Sequence, residues 1–219
     1  MAETGLSAVI IGASGLVGSA LLTMLNQSES FSKVTAITRR SLNDCPEGVV
    51  NAVIDFERLE DYPELFKADC FFSCLGTTRK QAGSIAAQRR VDFDYQLQAA
   101  KMAKSASVEH MLLVSSSGAN AASGSAYLKM KGELEIEVRQ LEFNRLAILQ
   151  PSLLRGTRKD KRMGESVGDV FLSALNGVGL LKHYRPIEGR EVAQALIHLA
   201  LNQSNPDVVY RLDELFNLQ

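Results

Sequence analysis

The stretch Ala8-Val9-Ile10-Ile11-Gly12-Ala13-Ser14-Gly15-Leu16-Val17-Gly18 joins a short apolar run to three glycines at intervals of three and then to a helical pattern. It reads as a buried strand, a tight turn and a helix start. Such a junction aims backbone N–H groups and the positive end of a helix dipole at one point, which suits a phosphate. Gly12 is expected at positive φ in the turn, Gly15 where the chain approaches a pyrophosphate, and Gly18 where the helix lies close on the strand. Ser14, Leu16 and Val17 complete the loop, and the ligand implied is a dinucleotide.

Outward from this junction, β-branched runs alternate with longer helical patterns. Strands are expected at 8–11, 34–38, 50–54, 70–73, 111–115 and 145–149, and helices at 16–26, 86–105, 125–141 and 192–201. Alternation of this kind predicts an α/β fold with a doubly wound, Rossmann-like parallel sheet covered on both faces. We read 1–219 as a single dinucleotide-binding domain. Residues 5–151 form its core, and 152–219 form a smaller, irregular C-terminal lobe over the carboxyl ends of the strands, where the substrate is expected.

The 219 residues are 46% hydrophobic, enough for a substantial core. With 24 lysines and arginines against 25 acids, no global field favours nucleic acid or an anionic membrane, so any anion site is local. The first apolar run breaks at Gly12, too short for a secretory signal or a spanning helix, and the expected location is the cytoplasm. Cys45, Cys70 and Cys74 fit a reducing compartment, and the scattered His110, His183 and His198 speak against a metal.

The second strand runs into Arg39-Arg40. An acid there would receive the ribose hydroxyls of NAD, whereas an arginine pairs with a 2′-phosphate, so NADP(H) is favoured over NAD(H). Asp55-Phe56 closes the third strand; the carboxylate is placed either to receive an adenine amino group or to serve an ordinary turn. After the fourth strand, Leu75, Gly76 and Thr77 offer close backbone approach and a hydroxyl to the cofactor's sugars, while Cys74 reads as a packed thiol.

Tyr127 and Lys131 stand four apart on the helix 125–141, hence on one face. A lysine beside the apolar stripe Met130, Leu134, Val138 and Leu141 needs a partner or a path to solvent. Its charge is expected to draw the Tyr127 phenol below the ordinary value of about 10, which suits exchange of a proton with a carbonyl oxygen. Ser116, with Ser115 and Ser117 as rivals, comes to the same sheet edge to orient that carbonyl.

Together, Gly12-x-x-Gly15-x-x-Gly18, Arg39-Arg40, Asp55-Phe56, Ser116, Tyr127-x-x-x-Lys131 and Pro151 resemble an atypical short-chain dehydrogenase/reductase. More narrowly, Cys74-Leu-Gly-Thr-Thr-Arg79, Val91-Asp92-x-Asp94-Tyr95 and Ser115-Ser116-x-Gly118-Ala119 are similar to the HIV Tat-interacting protein oxidoreductase family. The resemblance implies NADP(H) binding, a Ser–Tyr–Lys site, and Pro151, with Leu153 and Leu154 after it, beside the nicotinamide. Gln150 stands where many relatives have arginine.

The expected activity is oxidoreduction of a small carbonyl or alcohol substrate. Two other readings remain: a dinucleotide-responsive regulator with a protein partner, docking through the basic segment 155–162, and an epimerase or dehydratase that uses its cofactor transiently. A homodimer is compatible with all of them.

Overall fold

In the first strand the side chains alternate between two cores. Ala8 and Ile10 enter one with Leu21, Leu25, Val192 and Leu196, and Val9 and Ile11 enter the other with Ala99, Ala103, Leu134 and Val138. This two-sided burial is why the strand reads as a continuous apolar run rather than an alternating one. The computed structural model describes residues 5–155 and 186–218.

Seven strands form one parallel sheet: β1 (Leu6–Ile11), β2 (Phe31–Thr38), β3 (Val50–Val53), β4 (Cys70–Ser73), β5 (His110–Val114), β6 (Arg145–Gln150) and β9 (Asp207–Arg211). Their order is β3-β2-β1-β4-β5-β6-β9, so the winding reverses between β1 and β4. A crevice opens beyond the carboxyl ends of strands at such a point. The short strands β7 (Leu154–Arg155) and β8 (Ile187–Glu188) pair with each other apart from the main sheet.

On one face lie α1 (Leu16–Gln27) and α6 (Gly189–Asn202), which approach so closely that a Cβ at Gly189 would stand 2.7 Å from the Leu16 carbonyl oxygen. The other face is covered by α4 (Tyr95–Ser105) and α5 (Ala126–Arg139). Two short helices, α2 (Arg79–Ala82) and α3 (Ile85–Arg89), precede α4 at the sheet's carboxyl edge.

All six expected strands and four expected helices form, with ends displaced by up to three residues. The helix expected at 86–105 is interrupted by a π-helical turn, Arg90–Asp94, between α3 and α4. The strand β9, not expected from the sequence, extends the sheet beside β6. Within 152–219, α6 and β9 therefore belong to the central sheet assembly rather than to a separate lobe. The basic segment 155–162 lies, beyond Arg155, outside the described residues.

Candidate active site

Gly12 leaves β1 at φ +81°, and a Cβ there would stand 2.4 Å from the Cys74 backbone, so the turn after β1 is pressed against the end of β4. At Gly18 a Cβ would meet the Gly12 carbonyl oxygen at 2.2 Å, which is the close helix-on-strand packing expected of it. Gly15 caps α1 without a side-chain hydrogen bond, and no acid stands in the first turn of that helix. Among the described residues, no acidic side chain caps its leading amides.

From this turn a cleft of about 440 Å³ runs along the carboxyl edge of β1, β4, β5 and β6. Gly15, Leu16 and Val17 line one end; Leu75, Gly76 and Thr77 follow, then Ser115, Ser116 and Ser117, Tyr127 and Lys131, and Pro151, Leu153 and Leu154. Ser14 is exposed on the turn. Arg39 and Arg40 follow β2 as exposed residues outside the cleft lining. The Asp55 carboxylate accepts the Glu57 amide at 3.0 Å as a helix cap, and Phe56 is buried edge-on against Tyr95, 5.6 Å between ring centres. Of the Asp55 alternatives, the turn role is the one occupied in this structure.

Lys131 has found the partner its apolar stripe requires. Its ammonium lies 3.3 Å from Oδ1 of Asp92, and both side chains are almost wholly buried. Asp92 is set on the π-helical turn, the kind of local distortion that recurs at functional sites. Its Oδ2 accepts the Thr77 amide at 3.2 Å, and Gln88 also bonds it. Burial raises the Asp92 carboxyl above its ordinary value, against the opposing pull of Lys131 and these donors.

The Tyr127 phenol departs from expectation. Burial raises it above its ordinary value, outweighing the positive Lys131, while the negative Asp92 pushes the same way and the hydrogen bond with Ser116 opposes. Because Asp92 answers the lysine's charge, Lys131 cannot dominate the phenol. At neutral pH the group therefore stands as a protonated donor.

The serines divide. Ser115 gives its hydroxyl to Glu135, whose carboxylate also accepts Gln150 Nε2 at 2.9 and 3.0 Å; Gln150 Oε1 in turn accepts from Arg211 at 3.1 Å. Ser116 meets Tyr127. Burial pushes the Cys74 thiol up to about 12, away from the thiolate that a nucleophile needs.

Asp92 and Glu135 were not anticipated as site residues. The need for a partner to Lys131 was a signal, but Asp92 and Asp94 lie 39 and 37 residues before it, and spacing alone cannot choose between them. Among the described residues no cluster of ligands could hold a metal, and no helix is long and apolar enough to cross a membrane.

Residues 8–135 match the profile of the NAD dependent epimerase/dehydratase family. The chain belongs to this family. The rat protein HTATIP2 is 42% identical over 173 residues, spanning 77% of this chain and 71% of that one. Protein FMP52-1, mitochondrial, of Scheffersomyces stipitis is 38% identical over 201 residues, spanning 89% and 88%. The resemblance to the HIV Tat-interacting protein group therefore holds. Folds agree as well: MoeE5 in complex with UDP-glucose and NAD aligns with TM-score 0.72 at 18% identity, covering 95% of this chain and 79% of its own. The UDP-glucose 4-epimerase of Thermotoga maritima, solved with UDP-glucose, gives 0.72 at 15%, covering 96% and 80%.

One expectation falls on these comparisons. The cytoplasmic location is overturned, because the FMP52 relatives of Scheffersomyces stipitis, Debaryomyces hansenii and Saccharomyces cerevisiae are all named mitochondrial. The early end of the first apolar run carries no information about the compartment.

Proposed function

We propose that this protein is an NADP(H)-dependent oxidoreductase of the short-chain dehydrogenase/reductase type, acting on a small carbonyl or alcohol. The observation that carries this reading is that Ser116, Tyr127 and Lys131 line the same cleft into which the glycine turn opens. The residues fit a dinucleotide: the Gly12 and Gly18 contacts leave no room for side chains, and the start of α1 presents amides with no capping side chain. Arg39 and Arg40, at the end of β2, supply the charge for a 2′-phosphate. Leu75, Gly76, Thr77, Pro151, Leu153 and Leu154 form walls against which the cofactor would lie.

When bound, the nicotinamide supplies or receives the hydride. Ser116 orients the substrate's oxygen, and Tyr127 gives that oxygen a proton in reduction or takes one in oxidation. Lys131 would hold a ribose hydroxyl and stabilise the phenolate left behind, which regains its proton from solvent. Asp92 keeps the ammonium fixed meanwhile.

Titration of the purified protein with NADPH and NADH tests the cofactor, with tighter NADPH binding expected and lost in Arg39→Ala or Arg40→Ala. Equal affinities, or a preference unchanged in both variants, would remove the NADP assignment. NADPH oxidation with a panel of aldehydes and ketones tests the reaction. Loss of turnover with intact NADPH binding in Tyr127→Phe supports the phenol as acid, and unchanged turnover discards it.

A further inference from the structure

Among the described residues, three charged side chains line the cleft: Arg79, Asp92 and Lys131. Asp92 and Lys131 neutralise one another at 3.3 Å. What remains is the guanidinium of Arg79, an exposed residue at the start of α2. Among the described residues it has no ion pair, as the exposed Arg39 and Arg40 have none, whereas the exposed Arg58 and Arg90 and the less exposed Arg89 and Arg139 each meet a carboxylate. Among the described lining residues, Arg79 thus leaves one uncompensated positive charge on the cleft wall.

The backbone that carries Arg79 is well held. The Thr78 hydroxyl accepts the Gln81 amide at 3.2 Å, the Thr77 carbonyl accepts Gln88 Nε2 at 3.3 Å, and the Thr77 amide is bound by Asp92, the same carboxylate that fixes Lys131. Arg79 and the catalytic lysine are thus referenced to one buried group. Beside it, Ile85 is 44% exposed and lines the same cleft with Leu128, offering apolar surface.

We propose that the substrate carries a carboxylate on an apolar body, and that Arg79 binds this carboxylate while Tyr127 faces the reacting carbonyl or hydroxyl group. The inference rests on the oxidoreductase reading and deepens it. A planar guanidinium matches a carboxylate with two parallel hydrogen bonds, and a single arginine balances a single negative charge.

The probes are 4-carboxybenzaldehyde and benzaldehyde, which share a reactive group and differ in charge. Their binding to the NADPH-loaded full chain is measured by calorimetry, and NADPH oxidation is followed separately. The expected result is an affinity about tenfold or more in favour of the carboxylate, abolished in Arg79→Gln and partly kept in Arg79→Lys. Melting temperature, benzaldehyde binding and NADPH affinity should stay unchanged in Arg79→Gln. Equal affinities in the native protein overturn the proposal, as does a preference that survives Arg79→Gln. A loss of NADPH affinity in that variant also overturns it, since the arginine would then serve the cofactor. Arginine-dependent binding without NADPH oxidation would uphold the anion site and remove the proposed reaction instead.

Discussion

The Lys131 ammonium and the Asp92 carboxylate, 3.3 Å apart and with side chains 3% and 1% exposed, join the central helix of the site to the π-helical turn before α4. Deleting one partner leaves the other charge buried alone, a loss of about 3 kcal/mol or more. Asp92→Asn and Lys131→Met should each lower stability in urea titrations. The double variant should recover part of the loss, with a coupling of about 1–3 kcal/mol. Purely additive losses would show that the pair does not act as one.

The division among the serines gives opposite phenotypes for neighbours. Ser115→Ala removes a donor from buried Glu135 and should cost about 1–3 kcal/mol of stability. Ser116→Ala, whose hydroxyl meets Tyr127, should leave stability near native and lower kcat by about a hundredfold. Denaturant curves and turnover measured on both variants check this, and the reverse pattern would reassign the site serine to Ser115.

Because burial raises the Tyr127 phenol above its ordinary value, carbonyl reduction should keep its proton donor throughout the neutral range. The kcat/KM profile for reduction is expected to fall on the alkaline side only above about pH 10. An alkaline limb near neutrality that disappears in Tyr127→Phe would mean that Lys131 governs the phenol after all.

Local pattern carried most of this architecture. The run Ala8-Val9-Ile10-Ile11 is apolar at every position because β1 is buried on both faces, and Gly12 and Gly18 announce two close backbone approaches. Tyr127 and Lys131 share a helix face through a fixed spacing, so they too were legible. Partners set by tertiary packing were not. Asp92 is 39 residues before Lys131, and which of several acids meets the lysine depends on the winding of the π-helical turn. Likewise β9, five residues long and partly exposed at the sheet edge, carries too short a pattern to stand out. The phenol's direction was misjudged for the same reason, since Lys131 viewed alone lacks its counter-charge.

Glycines of the cradle should respond by place rather than by residue type. Gly12→Ala puts a methyl 2.4 Å from the Cys74 backbone at φ +81°, and Gly18→Ala puts one 2.2 Å from the Gly12 carbonyl oxygen. Each should cost about 2–4 kcal/mol and abolish NADPH binding. Gly124→Ala, with nothing within 4 Å and no positive φ, should be neutral or slightly stabilising. Thermal melts with and without NADPH distinguish these, and a tolerated Gly18→Ala would contradict the close packing of α1 on the turn.

His110, fully buried on β5, is expected to make the fold acid-sensitive far from the cleft. Burial lowers its imidazole from an ordinary 6.5 to about 4, while Nε2 stays 2.9 Å from the Gln203 side-chain oxygen, and Gln203 Nε2 donates to the Leu146 carbonyl on β6. The unfolded chain takes up a proton near 6.5 and the folded chain only near 4, so the contribution is complete above pH 6.5 and is lost as pH falls toward 4. The loss amounts to at most roughly 3 kcal/mol. Unfolding free energies measured at pH 7, 6, 5 and 4.5 should decline in the native protein. In His110→Asn they should begin lower, because the Gln203 contact is disturbed, yet vary less across this window. An equal slope in both proteins would assign the acid sensitivity to carboxylates instead.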